Sequence, residues 1–247
     1  ATSTTPPDST AAPSPTPPVS MTHRIVLPVV RRSDADAVVA DRVAARLMAM
    51  LGRSDEQSRL MVWDWEAGVA LVALMTAYGD GRDPLTVRWV DDWLLRAERD
   101  GWIDHGQPRL TLPNHVAPVW AALLRDAHMG DGRHAALIDA TRDWLTRSPR
   151  AGGAPRVSVA LPGLPRGWPG AWAHLPDRPE LWDDTLFMAA PFLARLGQQR
   201  GDVALVEEAA WQVAVHAAVL QDPATGLWFH GWRRGAEPPH MSGGRWA

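Results

Sequence analysis

The fold of this chain is decided by residues 180–193, which read ELWDDTLFMAAPFL. Two carboxylates, Asp183 and Asp184, directly precede a segment that is apolar on nearly every side. A helix without a solvated face is expected to be buried, so the acids at its start are expected to open onto an interior cavity. Buried carboxylates need partners, a ligand or a chemical task. The competing interpretation is a helix N-cap, in which either aspartate accepts hydrogen bonds from free backbone amides.

The overall composition narrows the function classes. The chain has 247 residues, of which 46% are hydrophobic and 21% charged, as in ordinary soluble globular proteins. A net charge of −3 gives no reason to expect a nucleic acid or an anionic membrane as partner, and we expect no apolar run long enough to span a membrane. Without cysteine, disulfides and thiolate chemistry are excluded. The histidines and carboxylates form no metal-binding motif, so we predict no metal and no organic cofactor.

An internal repeat organises the chain after its first part. Residues 1–32 are rich in Pro, Ser and Thr and are predicted to be a disordered tail. Gly-Asp turns recur at residues 78–82, 129–133 and 199–202, and a tryptophan follows the first two aspartates at a spacing of thirteen residues. A repeat of about fifty residues that holds two helices is typical of helical-hairpin arrays and closed toroids.

The helices on the two sides of these turns differ in character. Residues 68–78, 117–124 and 186–196 precede the turns and are apolar nearly all round, whereas the helices after the turns are amphipathic. An inner ring enclosed by an outer ring is an all-α (α/α) barrel, and we assign residues 33–247 to such a domain. Ligands would bind where loops enter the inner helices. The proline-rich loop between residues 148 and 179 is predicted to lie over this cavity.

Four clusters of functional side chains are expected at this cavity. Each has a structural explanation when taken alone, such as a helix cap, a loop histidine or a packed indole. Together they favour a carbohydrate site, because tryptophan faces stack on sugar rings, histidine and asparagine bind hydroxyls, and carboxylates transfer protons. The chain also contains fourteen tryptophans against one tyrosine. The clusters comprise Trp63 and Asp64, Asn114 and His115, Trp182 with the aspartates that follow it, and Trp228, His230 and Trp232.

Three motifs resemble the unsaturated rhamnogalacturonyl hydrolases of glycoside hydrolase family 105 and the related unsaturated glucuronyl hydrolases of family 88. They are Glu-Leu-Trp-x-Asp-Thr-Leu-Phe-Met-Ala-x-Pro-Phe-Leu at 180–193, Trp-x-Trp-x-x-Gly-Val at 63–69 and Thr-Gly-Leu-Trp-x-His-Gly-Trp at 225–232. The resemblance implies an (α/α)6 barrel. It also implies action on oligosaccharides that carry a 4,5-unsaturated uronic acid at the non-reducing end.

The resemblance implies a mechanism in which one aspartate protonates C4 of the double bond and then helps water to add at C5. On this pattern Asp184 is the acid and base, and Trp182 forms a stacking wall. Asp183 occupies a position that is usually apolar in the family, so it is not expected to be catalytic. The family often carries an aspartate where this chain has Asn114 and His115. The predicted substrate-binding residues are Trp63, Asp64, Asn114, His115, His174, Trp182, His230, Trp232 and Trp246.

Other interpretations remain open at this point. The chain supplies about seven helices, fewer than a complete (α/α)6 barrel contains, and is therefore expected to be the N-terminal portion of one. A non-catalytic carbohydrate-binding or interaction module on a partial toroid is one alternative. Another is a different (α/α)-barrel enzyme, such as a sugar epimerase or a glycosidase that uses both Asp64 and Asp184. The expected partner is an oligosaccharide substrate, and the lack of an export signal favours a cytoplasmic location, although an exported form is not excluded.

Overall fold

The computed structural model describes residues 34–51, 60, 62–79, 85–148, 172, 180–241 and 245–246. Helices dominate these ranges, which confirms the all-α prediction. The helices are α1 (Asp34–Leu51), α2 (Trp65–Gly79), α3 (Leu85–Arg99), α4 (Ala117–Met129), α5 (Ala135–Arg147), α6 (Asp183–Arg200) and α7 (Val203–Leu220). A 3-10 helix, Pro113–Val116, precedes α4. The short strands are β1 (Ile103–Asp104), β2 (Gln107–Pro108), β3 (Glu180–Trp182), β4 (Trp228–Phe229), β5 (Gly231–Arg233) and β6 (Arg245–Trp246).

The three apolar helices form an inner layer, as their sequences predict. Helix α4 packs between α2 and α6, and the helices that follow each of them, α3, α5 and α7, pack on the outside. The approach of α2 to α4 depends on Gly68, because a Cβ atom there would lie 2.3 Å from the Cβ of Ala117. Such close contact is possible only where one side chain is absent. The start of α4 is therefore locked against the first turns of α2.

Two of the outer helices show the predicted amphipathic pattern. Helix α3 buries Val90, Trp93 and Leu94, and α5 buries Leu137, Ile138 and Leu145, while the charged residues between them are mostly exposed. These positions recur at the three- and four-residue spacing that places side chains on one helix face. The outer helices thus bury one face against the inner layer.

Helix α7 departs from that pattern. It is apolar on most sides, and by length and composition alone it would be able to cross a membrane, contrary to our expectation from the sequence. Helix α7 packs against α6, although only 33% of it is buried. Along the junction of the two helices, Val206 and Val213 line an apolar groove of about 450 Å³ together with Phe187 and Pro191 of α6. Helix α7 therefore packs on α6 beside an open apolar groove.

The Gly-Asp turns at residues 129–133 and 199–202 end inner helices, as predicted. Gly130 and Gly201 adopt left-handed backbone angles, with φ of 68° and 65°, at the C-terminal ends of α4 and α6. Glycine takes this conformation without steric cost. Asp202 then caps α7, because its side chain accepts hydrogen bonds from the amides of Ala204 and Leu205. The first turn, the tail at residues 1–32 and the loop at 149–171 lie outside the described residues.

A charge network closes the C-terminal end of α4. The buried guanidinium of Arg125 donates to both carboxylate oxygens of Asp91 on α3, at 2.8 and 3.1 Å, and to Asp126 at 3.2 Å. It also contacts Asp131 in the turn after α4. Burial alone would lower the pKa of Arg125, but the hydrogen bonds and charges of Asp91 and Asp131 outweigh it and raise the pKa. This end of the helix is therefore held by compensated charges.

Candidate active site

A two-stranded ribbon brings distant parts of the chain together at the start of α6. Strand β3 pairs antiparallel with β5, so that Glu180 lies opposite Arg233 and Trp182 opposite Gly231. Because successive side chains in a strand point to opposite faces, Glu180 and Trp182 share one face of the ribbon. A Cβ atom on Gly231 would lie 3.5 Å from the indole of Trp182 and 2.5 Å from the Cε of Met241. The glycine thus leaves room for the indole over the ribbon.

His230, in the loop just before β5, contacts both Trp182 and Asp183. The Trp182 and His230 rings meet edge to face, with centroids 4.8 Å apart. Nδ1 of His230 lies 3.3 Å from Oδ1 of Asp183, and the Asp183 amide donates to the His230 carbonyl at 3.1 Å. The structure therefore brings His230 to Trp182 and Asp183, from which it is separated by almost fifty positions in the sequence. Trp182 and His230 lie at the place where we predicted substrate to bind.

The two aspartates at the start of α6 have different surroundings. Oδ1 of Asp183 accepts a hydrogen bond from the amide of Asp184 at 2.8 Å, so its carboxylate is held within the first turn of α6, whose N-cap residue is Trp182. Burial raises the pKa of Asp183, the charge of His230 partly offsets this, and the charge of Asp184 adds to it. Oδ1 of Asp184 is buried and receives no hydrogen bond from the residues that the structure describes. Asp184 is thus the carboxylate whose lone pairs are left for another group.

Asn114 and His115 lie in the 3-10 helix at the entry to α4, which packs against α6. Both side chains are buried, and Oδ1 of Asn114 also lacks a hydrogen-bond partner among the described residues. The ring of His115 accepts a hydrogen bond at Nδ1 from the amide of Thr111 at 3.3 Å. Burial lowers the pKa of His115, while the charge of nearby Asp64 opposes this shift. The 3-10 helix therefore brings Asn114 and His115 to α6, with Asp64 close to His115.

Two predicted substrate contacts are corrected by the structure. Trp63 is only 1% exposed, donates its Nε1 hydrogen to the carbonyl of His115 at 3.0 Å and packs against Trp93, so its indole has no face available to a sugar. Trp232 lies opposite Leu181 in the ribbon and packs with Val215 on the α7 side. This is the face opposite Trp182. Trp63 therefore stabilises the fold beside the site, and Trp232, which is partly exposed, packs on the face of the ribbon away from Trp182.

Two other predicted residues cannot be placed as side chains. His174 lies outside the described residues. The backbone of Trp246 pairs with Trp228 in the β4–β6 ribbon, and its side chain is not described. Their roles in substrate binding stay predictions.

Sequence reasoning also missed an ion pair under the site. Glu180 is almost completely buried, and its Oε1 accepts from Arg233 Nε at 2.8 Å across the ribbon. Its Oε2 accepts from the indole Nε1 of Trp182 at 3.2 Å. Glu180 therefore fixes the Trp182 indole and also links the two strands of the ribbon through Arg233. The signal available in the sequence was the spacing Glu-x-Trp, which places both side chains on one face of a strand.

The assembled groups suit proton transfer beside a stacking wall. Asp184 supplies a half-buried carboxylate whose Oδ1 is inaccessible to solvent, and Trp182 with His230 supplies an aromatic and polar surface at the same helix start. Among the residues with described side chains, no three His, Asp or Glu groups converge as a metal site.

Comparison with known proteins agrees with this arrangement. Unsaturated rhamnogalacturonyl hydrolase YesR of Bacillus subtilis (strain 168) is 27% identical over 184 residues, which are 74% of this chain and 49% of that protein. The chain thus spans about half the length of that relative.

Solved structures show the same helical fold. A possible member of family GH105 from Klebsiella pneumoniae matches with a TM-score of 0.63 and 21% identity over 91% of this chain and 58% of its own. Another possible member of that family, from Salmonella enterica, matches with a TM-score of 0.59 and 23% identity over 88% of this chain and 57% of its own.

The sequence model of one family covers the ribbon, the inner helices and the site. It is described as Glycosyl Hydrolase Family 88, and it matches residues 39–247. This chain belongs to glycosyl hydrolase family 88.

Proposed function

We propose that this protein is a glycosidase that acts on oligosaccharides ending in a 4,5-unsaturated uronic acid. Family membership supports the glycosidase class, and the name of the Bacillus subtilis relative supports an unsaturated uronide as substrate. The observation that carries the proposal is the buried Oδ1 of Asp184, which no donor of the described residues satisfies, at the entry to an inner helix. A buried carboxylate oxygen left in this state costs stability and needs a functional reason.

In the proposed reaction, the carboxyl group of Asp184 donates its proton to C4 of the sugar. The electron pair of the C4–C5 double bond forms the new C–H bond, and C5 becomes an oxocarbenium centre. The carboxylate of Asp184 then takes a proton from water as the water oxygen bonds to C5. The resulting hemiketal opens, and the neighbouring sugar leaves. Asp184 returns to its protonated form, so one carboxyl group serves as acid and base.

The surrounding side chains have binding roles in this proposal. The indole of Trp182 offers an apolar face to the sugar ring, and Glu180 fixes that indole through its Nε1. His230 supplies a polar ring edge to face the double bond or the uronate carboxylate. Asn114 supplies a buried amide whose Oδ1 would accept a hydroxyl hydrogen.

The test is the loss of ultraviolet absorbance from the conjugated double bond of lyase-generated pectin and glycosaminoglycan disaccharides. We expect wild-type protein to remove this absorbance and Asp184→Asn to do so about a thousandfold more slowly, since general acid-base catalysis contributes on that order. Asp64→Asn is the matched control. Asp64 accepts a hydrogen bond from the Trp65 amide, and asparagine keeps an oxygen that can accept it. We therefore expect this substitution only to weaken substrate binding.

Two other results would each assign this protein to a different functional class. Equal losses in Asp64→Asn and Asp184→Asn, with activity on saturated sugars, would indicate a two-carboxylate glycosidase. Folded wild-type protein that binds these disaccharides without consuming them would be a carbohydrate-binding module. That second candidate is favoured by one observation, the amide of Asn114 at a position where the family often carries an acid.

A further inference from the structure

Asp183 carries a feature of the site that the proposed reaction does not use. Its side chain is only 16% exposed, and its carboxylate lies between the ring of His230 and the amide of Asp184, the second residue of α6. An apolar residue at this position would keep the backbone hydrogen bond to the His230 carbonyl but would lose both side-chain contacts. The carboxylate therefore adds a specific link between α6 and the loop before β5.

The orientation of His230 follows from these contacts. The hydrogen bond from the Asp184 amide fixes the Asp183 carboxylate at the helix start, at 2.8 Å. Oδ1 of that carboxylate then lies 3.3 Å from Nδ1 of His230, which favours a proton on Nδ1. Trp182 meets the ring edge to face from another side. Nδ1 of His230 is buried at ion-pair distance from Asp183, outside hydrogen-bond geometry, and the ring packs against Trp182 along one side.

We propose that Asp183 is a positioning residue, whose carboxylate sets the tautomer and ring orientation of His230 beside Trp182. Carboxylates that bind one imidazole nitrogen orient the other nitrogen in the same way in metal and hydrolase sites. The catalytic consequence of this role rests on the proposed function, whereas the orientation of the ring does not.

The charged groups around Asp183 support this role. Asp184 on α6 and His230 in the loop are the two side-chain charges that act on its carboxyl group, and they do so in opposite directions. Glu180 and Arg233 of the ribbon pair with each other. Because burial raises the pKa of Asp183, the carboxylate is protonated at a higher pH than an ordinary aspartate, and its hold on His230 weakens there.

The direct test is the ring ¹⁵N spectrum of His230, assigned by its loss in His230→Gln. In wild-type protein near neutral pH we expect Nδ1 to carry a proton. In Asp183→Leu we expect the ring to change to the tautomer with the proton on Nε2, and in Asp183→Asn to give a mixture, since the amide oxygen accepts without charge. An identical tautomer in wild type and Asp183→Leu would overturn the proposal.

A double-mutant cycle tests the catalytic consequence. We expect Asp183→Leu to lower kcat/KM about tenfold in the wild-type background and less than about twofold in the His230→Gln background, because coupled residues are not additive. Equal losses in both backgrounds would contradict the proposal. Asp183→Asn keeps the acceptor for the Asp184 amide, and both measurements are repeated with it if Asp183→Leu does not fold.

The two proposals fail in different ways. If wild-type protein consumes no unsaturated disaccharide, the proposed function is wrong, and the ¹⁵N spectra still decide whether Asp183 orients His230. If wild-type protein is active and the tautomer does not respond to residue 183, the reaction stands and the positioning role is wrong.

Discussion

The two ends of helix α4 treat buried polar groups in opposite ways. At its C-terminal end, Arg125 and the carboxylates of Asp91, Asp126 and Asp131 satisfy one another. At its N-terminal end, Oδ1 of Asn114 is buried without a hydrogen bond from the described residues, as is that of the neighbouring Asp184. An unsatisfied buried group costs about 1–3 kcal/mol. The comparison indicates that one end of the inner layer is built for stability and the other retains polar groups at a cost in stability.

The largest effect on the free energy of unfolding is expected from a substitution in the charge network at the C-terminal end of α4. Arg125→Met removes a buried cation and leaves the carboxylates of Asp91 and Asp126 buried without it. Loss of one partner of a buried ion pair costs about 3–5 kcal/mol in the free energy of unfolding. Urea unfolding followed by circular dichroism at neutral pH would measure this loss.

Arg133→Ala is the control for that substitution. Arg133 also donates to Asp91, at 3.0 Å, but its side chain is 44% exposed. Exposed ion pairs contribute less than about 1 kcal/mol, so this variant is expected to unfold close to wild type. Equal destabilisation by the two substitutions would contradict the interpretation that the buried charges at the C-terminal end of α4 stabilise the fold.

A smaller effect on the free energy of unfolding is expected when the pH is lowered, through His115 at the entry to α4. Burial lowers the pKa of His115, so below the ordinary histidine pKa of about 6.5 the unfolded chain binds this proton more readily than the folded protein does. Stability should therefore fall as the pH drops from about 6.5 to the lowered pKa, by about 1 kcal/mol or less. His115→Asn should remove that part of the pH dependence.

The measurement is the difference in the free energy of unfolding between wild type and variant at several pH values from about 7 to about 5, a range that includes the ordinary histidine pKa. Asn retains an acceptor near Nδ1 for the Thr111 amide, so the slope with pH is compared and not the absolute stability. Parallel pH dependences of wild type and variant would show that His115 is not the buried group responsible.

The smallest effect is expected at Asp183, and it has the opposite sign. Because the pKa of Asp183 is raised in the folded state, its ionised form lowers stability once the pH exceeds the ordinary aspartate pKa. Asp183→Asn should therefore raise the free energy of unfolding at neutral pH slightly, while the orientation of His230 is weakened. Thermal unfolding at pH 7 and pH 4, about the ordinary aspartate pKa, would show the gain only at the higher pH. A loss of stability at neutral pH would contradict this cost.

Much of the fold follows from patterns that a sequence displays directly. The all-round apolar character of residues 68–78, 117–124 and 186–196 identified the inner helices, because burial on every side leaves no room for charges. The Gly-Asp turns located the left-handed ends of α4 and α6. The prediction of Asp184 as the acid and base, which stays a prediction, rested on its place before a buried helix and on the family motif.

The site residues that sequence reasoning misjudged depend on long-range pairing. Trp232 faces α7 because β5 pairs with β3 in one particular register. A strand of three residues is too short for its alternation pattern to show which face is buried. Trp63 turns inward because the His115 carbonyl accepts its Nε1 hydrogen from a position 52 residues away. Asp183 gained its role only when the loop holding His230 was placed beside it. Local propensity contains none of these contacts.

The antiparallel register of β3 and β5 depends on one glycine. Trp182 and Trp232 lie on opposite faces of the same short ribbon. A shift of one residue in the pairing would exchange the faces of every side chain on the shifted strand. Trp232 would then replace Gly231 opposite Trp182, at a place where even a Cβ atom would lie 2.5 Å from the Cε of Met241. Gly231 therefore favours the one register that leaves room for the indole of Trp182.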